Sequence, residues 1–247
     1  MTIINPAVCN CAICGEEKMY YMYVSYHYYD CTTDLDCRTR EHGMDCLIGE
    51  RVQQCHRCGY VAYRLSDDPG KVTKSWLKSK AYTHSDGITF RSGLADRFYK
   101  FYKISLLNEN TETTFYALLY AAWACDDSED EENAARCRKM AIPLLDKVIE
   151  ETAAGRDDSD EDDAKYIDEE IEKLKLMKAD LLRRSGQFET LLSEFSSYSF
   201  QDETMNKVLA FQLAKAAEKD TACYTVQDAV EQNKKKGRRN NKKQHRE

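Results

Sequence analysis

Residues 52–65 read Val52-Gln53-Gln54-Cys55-His56-Arg57-Cys58-Gly59-Tyr60-Val61-Ala62-Tyr63-Arg64-Leu65, two cysteines separated by two residues, then a glycine, then strand-forming residues. Two residues between thiolates let a tight turn aim both sulfurs at one ion, and the glycine permits the positive φ that closes the turn. The same arrangement stands earlier as Cys11-Ala12-Ile13-Cys14-Gly15, with 40 residues between the two pairs. Two such knuckles complete a tetrahedron. Four soft thiolates suit zinc better than magnesium or calcium, and a site closed by four sulfurs leaves no position for water or substrate. Cys11, Cys14, Cys55 and Cys58 are therefore the candidate ligands of one structural zinc ion. Cys9, two residues before Cys11, is close enough to take its place.

Outward from the knuckles, residues 18–29 are rich in tyrosine and residues 59–65 continue the second knuckle, so both are expected as strands. The segment reads as a zinc ribbon with an insertion. Within the insertion, Cys31, Cys37 and Cys46, with His27 and His42 nearby, are candidates for a second metal site or for packing thiols, their spacing matching no knuckle. The tyrosines suit strand packing or base stacking; with 11 basic and 11 acidic residues the first 93 positions offer no net positive charge for the latter.

Eight of the eleven cysteines lie between Cys9 and Cys58. An odd count with no leader-like start argues for reduced thiols in a cytoplasmic setting rather than a disulfide framework. No run approaches the roughly 18 apolar residues of a membrane span, so a soluble chain is expected. Only 10 glycines and 3 prolines in 247 residues favour long helices over a turn-rich β fold.

From Leu94 the periodicity becomes helical. Phe115, Leu118, Leu119, Ala122 and Trp123 form one complete apolar stripe, preceded by Leu94, Phe98, Phe101 and Tyr102. Cys137, Met140, Ala141, Leu144, Leu145, Val148 and Ile149 form another, in which Pro143 should kink or restart the helix. Ile167, Ile171, Leu174, Met177 and Leu181 mark a further helix, stopped at Gly186, after which Phe188, Leu191, Leu192 and Phe195 fold back. Met205, Val208, Leu209, Leu213 and Ala216 give a last one. Helical hairpins that cannot bury an apolar face alone must stack, as in solenoid arrays, although a plain bundle is the alternative. In KADLLRRSGQFETLLSEF, Ala179, Leu182, Gly186 and Phe188 stand where a tetratricopeptide hairpin has small, large, glycine and aromatic residues, whereas Leu191 departs from that pattern.

Charge is distributed unevenly. Residues 94–233 hold 17 basic and 31 acidic residues, and residues 234–247 hold 8 basic and one acidic. The acidic runs at 126–132 and 157–163 read as solvated connections rather than calcium loops. The tail has no apolar residue to bury and is expected to be disordered, with contact to RNA or a purely electrostatic role as its two readings. Catalytic signatures are missing: there is no HExxH, GxSxG or GxGxxG, and Gly70-Lys71 lacks the rest of a phosphate loop.

The order of an early CxxCG knuckle, the stretch Asp34-Leu35-Asp36-Cys37-Arg38, then VQQCHRCGYVAY and the helical stretches YALLYAAWAC, ADLLRRSGQF and EKDTACYTV resembles a bacterial zinc-ribbon family of unknown function. That family has Cys-Pro-x-Cys-Gly-Tyr in its second knuckle, where this chain carries His56 in place of proline. The resemblance implies a ribbon followed by tetratricopeptide-like helices, in the bacterial cytoplasm, and carries no activity. The expected fold is thus α+β and mostly α: a zinc-ribbon-like domain with an insertion at 1–65, a linker at 66–93, a helical repeat-like domain at 94–233 and a disordered basic tail at 234–247. The expected function is non-enzymatic protein–protein interaction, as adaptor or scaffold, with an RNA- or ribosome-associated factor using ribbon and tail as the alternative.

Overall fold

The first strand, β1 (Ile3–Asn10), pairs antiparallel with β2 (Glu17–Ser25), placing Val8 opposite Met19 and Cys9 opposite Lys18. Two further short antiparallel strand pairs follow along the chain, β3 (Thr32–Thr33) with β4 (Thr39–Arg40) and β5 (Gln53–Gln54) with β6 (Val61–Ala62). The computed structural model describes residues 3–25, 32–40, 51–84, 87–157 and 159–231. The chain is mostly helical with small antiparallel hairpins near its N-terminus. The strand expected at 59–65 is realised only at Val61–Ala62; β2 covers the described part of the tyrosine-rich stretch, residues 26–29 lying outside the described residues; and β1 carries no signal in the sequence.

Two compact units divide the chain, one made of residues 1–30 and 41–144, the other of residues 31–40 and 145–247. In the first, residues 66–92 contribute Val72, Leu77, Tyr82 and Ile88 to the interior, with one 3-10 turn at Trp76–Lys78 and the short helix α1 (Lys80–Thr83). Next come α2 (Gly93–Leu107) and α3 (Thr111–Asp127), their starts fixed by side-chain caps: Ser92 accepts from the Leu94 and Ala95 amides, and Asn110 from that of Thr113. The stripe Phe115, Leu118, Leu119, Ala122 and Trp123 is buried throughout, as are Ala95, Phe98 and Phe101 of α2, which packs on α3. Helix α4 (Glu131–Ala154) runs through Pro143 without restarting, and its residues up to Leu144 belong to this unit.

The second unit packs α5 (Glu161–Arg184), α6 (Phe188–Phe195) and α7 (Glu203–Ala217) against one another. Leu174, Met177, Leu181, Leu191, Phe195 and Val208 supply its buried apolar surface. A last helical stretch occupies residues 226–231. The hairpin β3–β4, which the sequence places inside the ribbon's insertion, folds with this unit. The basic tail lies outside the described residues. No helix among the described residues is long and apolar enough to cross a membrane.

One local device recurs. Between α2 and α3, α3 and α4, and α5 and α6 the chain spends three residues, whose middle member is left-handed: Glu109 at φ 57°, Glu129 at φ 57° and Gly186 at φ 74°. In each, the amide of the third residue returns to a carbonyl five positions back, from Asn110 to Ser105 at 3.1 Å, from Asp130 to Cys125 at 2.9 Å and from Gln187 to Leu182 at 2.9 Å. These closures satisfy carbonyls that the helix end leaves without partners. Lys219, at φ 54°, ends α7 in the same way, with Asp220 donating to Lys215 at 2.9 Å.

Candidate metal centre

The two knuckles have the same backbone. In the first, the Gly15 amide donates to the Cys11 carbonyl at 2.8 Å and the Cys11 amide to the Glu16 carbonyl at 2.8 Å; in the second, Gly59 donates to Cys55 at 2.9 Å and Cys55 to Tyr60 at 2.8 Å. Gly15 and Gly59 sit at φ 74° and 79°, the left-handed region that a side chain resists. Each knuckle is the connection of a hairpin, β1–β2 for the first and β5–β6 for the second. The Ala12 amide donates to the Leu65 carbonyl at 2.7 Å, and Lys18 Nζ to the Gln54 carbonyl at 3.0 Å, which ties the two knuckle segments together. Arg57 and Glu16 add an exposed ion pair at 3.1 Å, which water screens to little net value.

Fold and contacts bring all four candidate thiols together. Cys11 Sγ lies 3.6 Å from Cys58 Sγ, and Cys14 Sγ lies 3.6 Å from Cys55 Sγ. All four sulfurs fall within 4.8 Å of one another. A tetrahedron with metal–sulfur bonds of about 2.3 Å has edges of roughly 3.8 Å, so the donor set and its spacing are compatible with zinc. Among the described residues no other His, Cys, Asp or Glu joins this cluster. Cys9, the sequence alternative to Cys11, stands on β1 opposite Lys18 and outside it.

The thiols are unequal. Burial pushes Cys11 and Cys58 above the ordinary thiol range. Burial acts on Cys55 as well, but the amides of Cys58 and Arg57 and the thiol of Cys14 donate to it and hold it below that range. One thiolate is therefore favoured at Cys55 before Cys11 and Cys58 ionise, and a bound cation would draw off the remaining protons.

Two supports were not legible in the motif. The Tyr82 hydroxyl donates to the Gly59 carbonyl at 2.5 Å, its ring buried, which braces the second knuckle at its glycine. Glu16 serves the first knuckle through its backbone carbonyl. Of the candidates for a second site, Cys31, Cys46, His27 and His42 lie outside the described residues, and Cys37, in the second unit, joins no metal-ligating group among the described residues. No protein-family model, curated protein or solved structure matches the chain, so the resemblance to a zinc-ribbon family rests on the motifs alone.

Proposed function

We propose that Cys11, Cys14, Cys55 and Cys58 bind one zinc ion whose role is structural, and that the protein is a non-enzymatic adaptor that holds other proteins through its helices. The observation that carries this reading is the clustering of four sulfur donors within 4.8 Å of one another, a set that would fill a tetrahedral zinc shell and leave no position for a reacting group. The three-residue connection shared by α2–α3, α3–α4 and α5–α6 supports helical hairpins of the tetratricopeptide kind, whereas α4–α5 and α6–α7 are joined by longer segments. Arrays of such hairpins present extended concave surfaces suited to peptide segments. Tagged protein recovered from its own cells, with and without nuclease, tests the reading. Partners that survive nuclease support the adaptor; partners lost with nuclease favour an RNA-associated factor, for which the eight basic residues of the tail speak.

A further inference from the structure

Residues 32–40 form a hairpin whose tip is recognised by the helical unit in which it folds. The turn is closed by the Asp34 amide donating to the Arg38 carbonyl at 2.8 Å and the Cys37 amide to Asp34 at 2.9 Å, with Cys37 left-handed at φ 66°. Leu35, 4% exposed, inserts among Val208, Phe211 and Ala229, beside Tyr224. Its amide donates to the Tyr224 carbonyl at 3.0 Å, and Asp34 makes an antiparallel bridge to Thr225. The Asp36 carboxylate, 0% exposed, accepts from Arg184 Nη1 at 3.1 Å.

The receiving side is held in place by other groups. Arg183 Nη1 donates to the carbonyls of Asp220 at 2.9 Å and Ala222 at 2.8 Å, while its Nη2 donates to Asp180 at 2.7 Å. Its guanidinium lies 5.4 Å from the centre of the Tyr224 ring. Helix α5 thus fixes the extended strap that ends at Thr225 through Arg183, and presents Arg184 beside it for a carboxylate. A single main-chain bridge with one adjoining hydrogen bond, an apolar socket for one leucine and a buried arginine for one acid are elements by which folded domains read peptides.

We infer that this seat is a peptide-binding site of the helical unit, occupied in cis by residues 32–40, and that its partner in trans is an acidic turn peptide carrying Asp-Leu-Asp. The inference names the partner chemistry of the adaptor reading and rests on that reading for its biological use. A segment tethered in the same chain competes at an effective concentration on the order of millimolar, so a partner engages the seat only when it outbids that or when the resident hairpin leaves. Arg40 Nε and the Cys223 thiol both donate to Asp34 Oδ2, at 2.6 and 3.4 Å, and anchor the base of the hairpin.

The test uses a labelled peptide with the sequence of residues 32–40, carrying Cys37→Gly to favour the turn and avoid oxidation. Its anisotropy is titrated with the full-length protein and with full-length Leu35→Ala/Asp36→Asn, whose own hairpin is weakened while the seat is unchanged. The double variant should bind at least tenfold more tightly than the parent, and adding Arg184→Ala should remove at least tenfold. A double variant that keeps its helical signal yet binds no better than the parent overturns the inference. If that variant fails to fold, the parent protein decides: several millimolar peptide should speed hydrogen exchange at the Leu35 amide, and unchanged exchange overturns the inference. Failure here leaves nuclease-resistant partners untouched, whereas peptide binding without such partners sinks the adaptor reading and keeps the seat.

Discussion

Replacing Gly59 by alanine isolates the conformational part of metal binding. A Cβ at Gly59 meets nothing nearer than Tyr82 Cε1 at 3.9 Å, an ordinary contact, and at Gly15 nothing lies within 4 Å. The cost is therefore that of forcing an L side chain to φ 79° or 74°, about 1–2 kcal/mol. If each turn is required only in the metal-bound ribbon, that cost appears as a 5- to 30-fold loss of zinc affinity, at about 1.4 kcal/mol per tenfold. Competition against a chromophoric chelator at neutral pH measures it. Because the two knuckles share one backbone, Gly15→Ala and Gly59→Ala should cost the same within a factor of a few, and Gly59→Asn should recover much of the loss, since asparagine tolerates the left-handed region. Gly70→Ala is the control: its Cβ would stand 2.7 Å from Asn108 Oδ1, so it should lower folding stability and leave zinc affinity alone. Alanine variants that bind zinc within twofold of the parent, or an asparagine variant as weak as alanine, would refute the reasoning.

Chelation should collapse the dispersed amide signals of residues 11–16 and 55–60 while the far-ultraviolet helical signal persists, and a ribbon still ordered without metal would remove the basis of the site. Arg183→Ala should cost about 3–5 kcal/mol in urea melts, because it strands the buried Asp180 carboxylate and frees the carbonyls of Asp220 and Ala222; a loss under 1 kcal/mol would contradict that account. Glu129→Gly and Lys219→Gly should each gain about 0.5–1 kcal/mol, the relief of left-handed strain less the entropy of the added glycine, read as a rise in Tm. Burial works against the charge of Asp130, but donors from Asn133 and the Arg91 amide win and hold its carboxyl below the usual range. Its contribution is then complete above the unfolded value of about 4 and lost as pH falls through the lower folded one, so Asp130→Asn should flatten the acid limb of stability against pH.

The knuckles were legible because their information is local: spacing and one glycine specify each turn, and duplication specifies the partner. The apolar stripes of α3 and α6 were legible for the same reason, repeating within a few residues. Strand β1 was hidden because Asn5 and Pro6 interrupt its pattern and only β2 makes it a strand. Pro143 is expected to kink or restart its helix; the helix does not restart, the burial of Ile142 and Leu145 on either side outweighing one missing amide. Of four left-handed helix ends only Gly186 announced itself; Glu109, Glu129 and Lys219 carry no sequence signal because the turn is imposed by the elements it joins. Least legible is the fate of residues 32–40, which the sequence places only within the ribbon's insertion, and whose acids find Arg184 and Arg40 far along the chain or across a turn.

The spacing of the knuckles has a consequence for how this chain can change. A metal held by Cys14 and Cys55 turns the 40 residues between them into a closed ring. The entropy of closing a ring grows only with the logarithm of its length, so doubling it costs about 0.6 kcal/mol. The ring is thus a tolerant place for added sequence, provided β2, β5 and the nine residues that serve the second unit keep their places. Lengthening it elsewhere would hand the same metal and the same helices a new appendage at almost no thermodynamic cost.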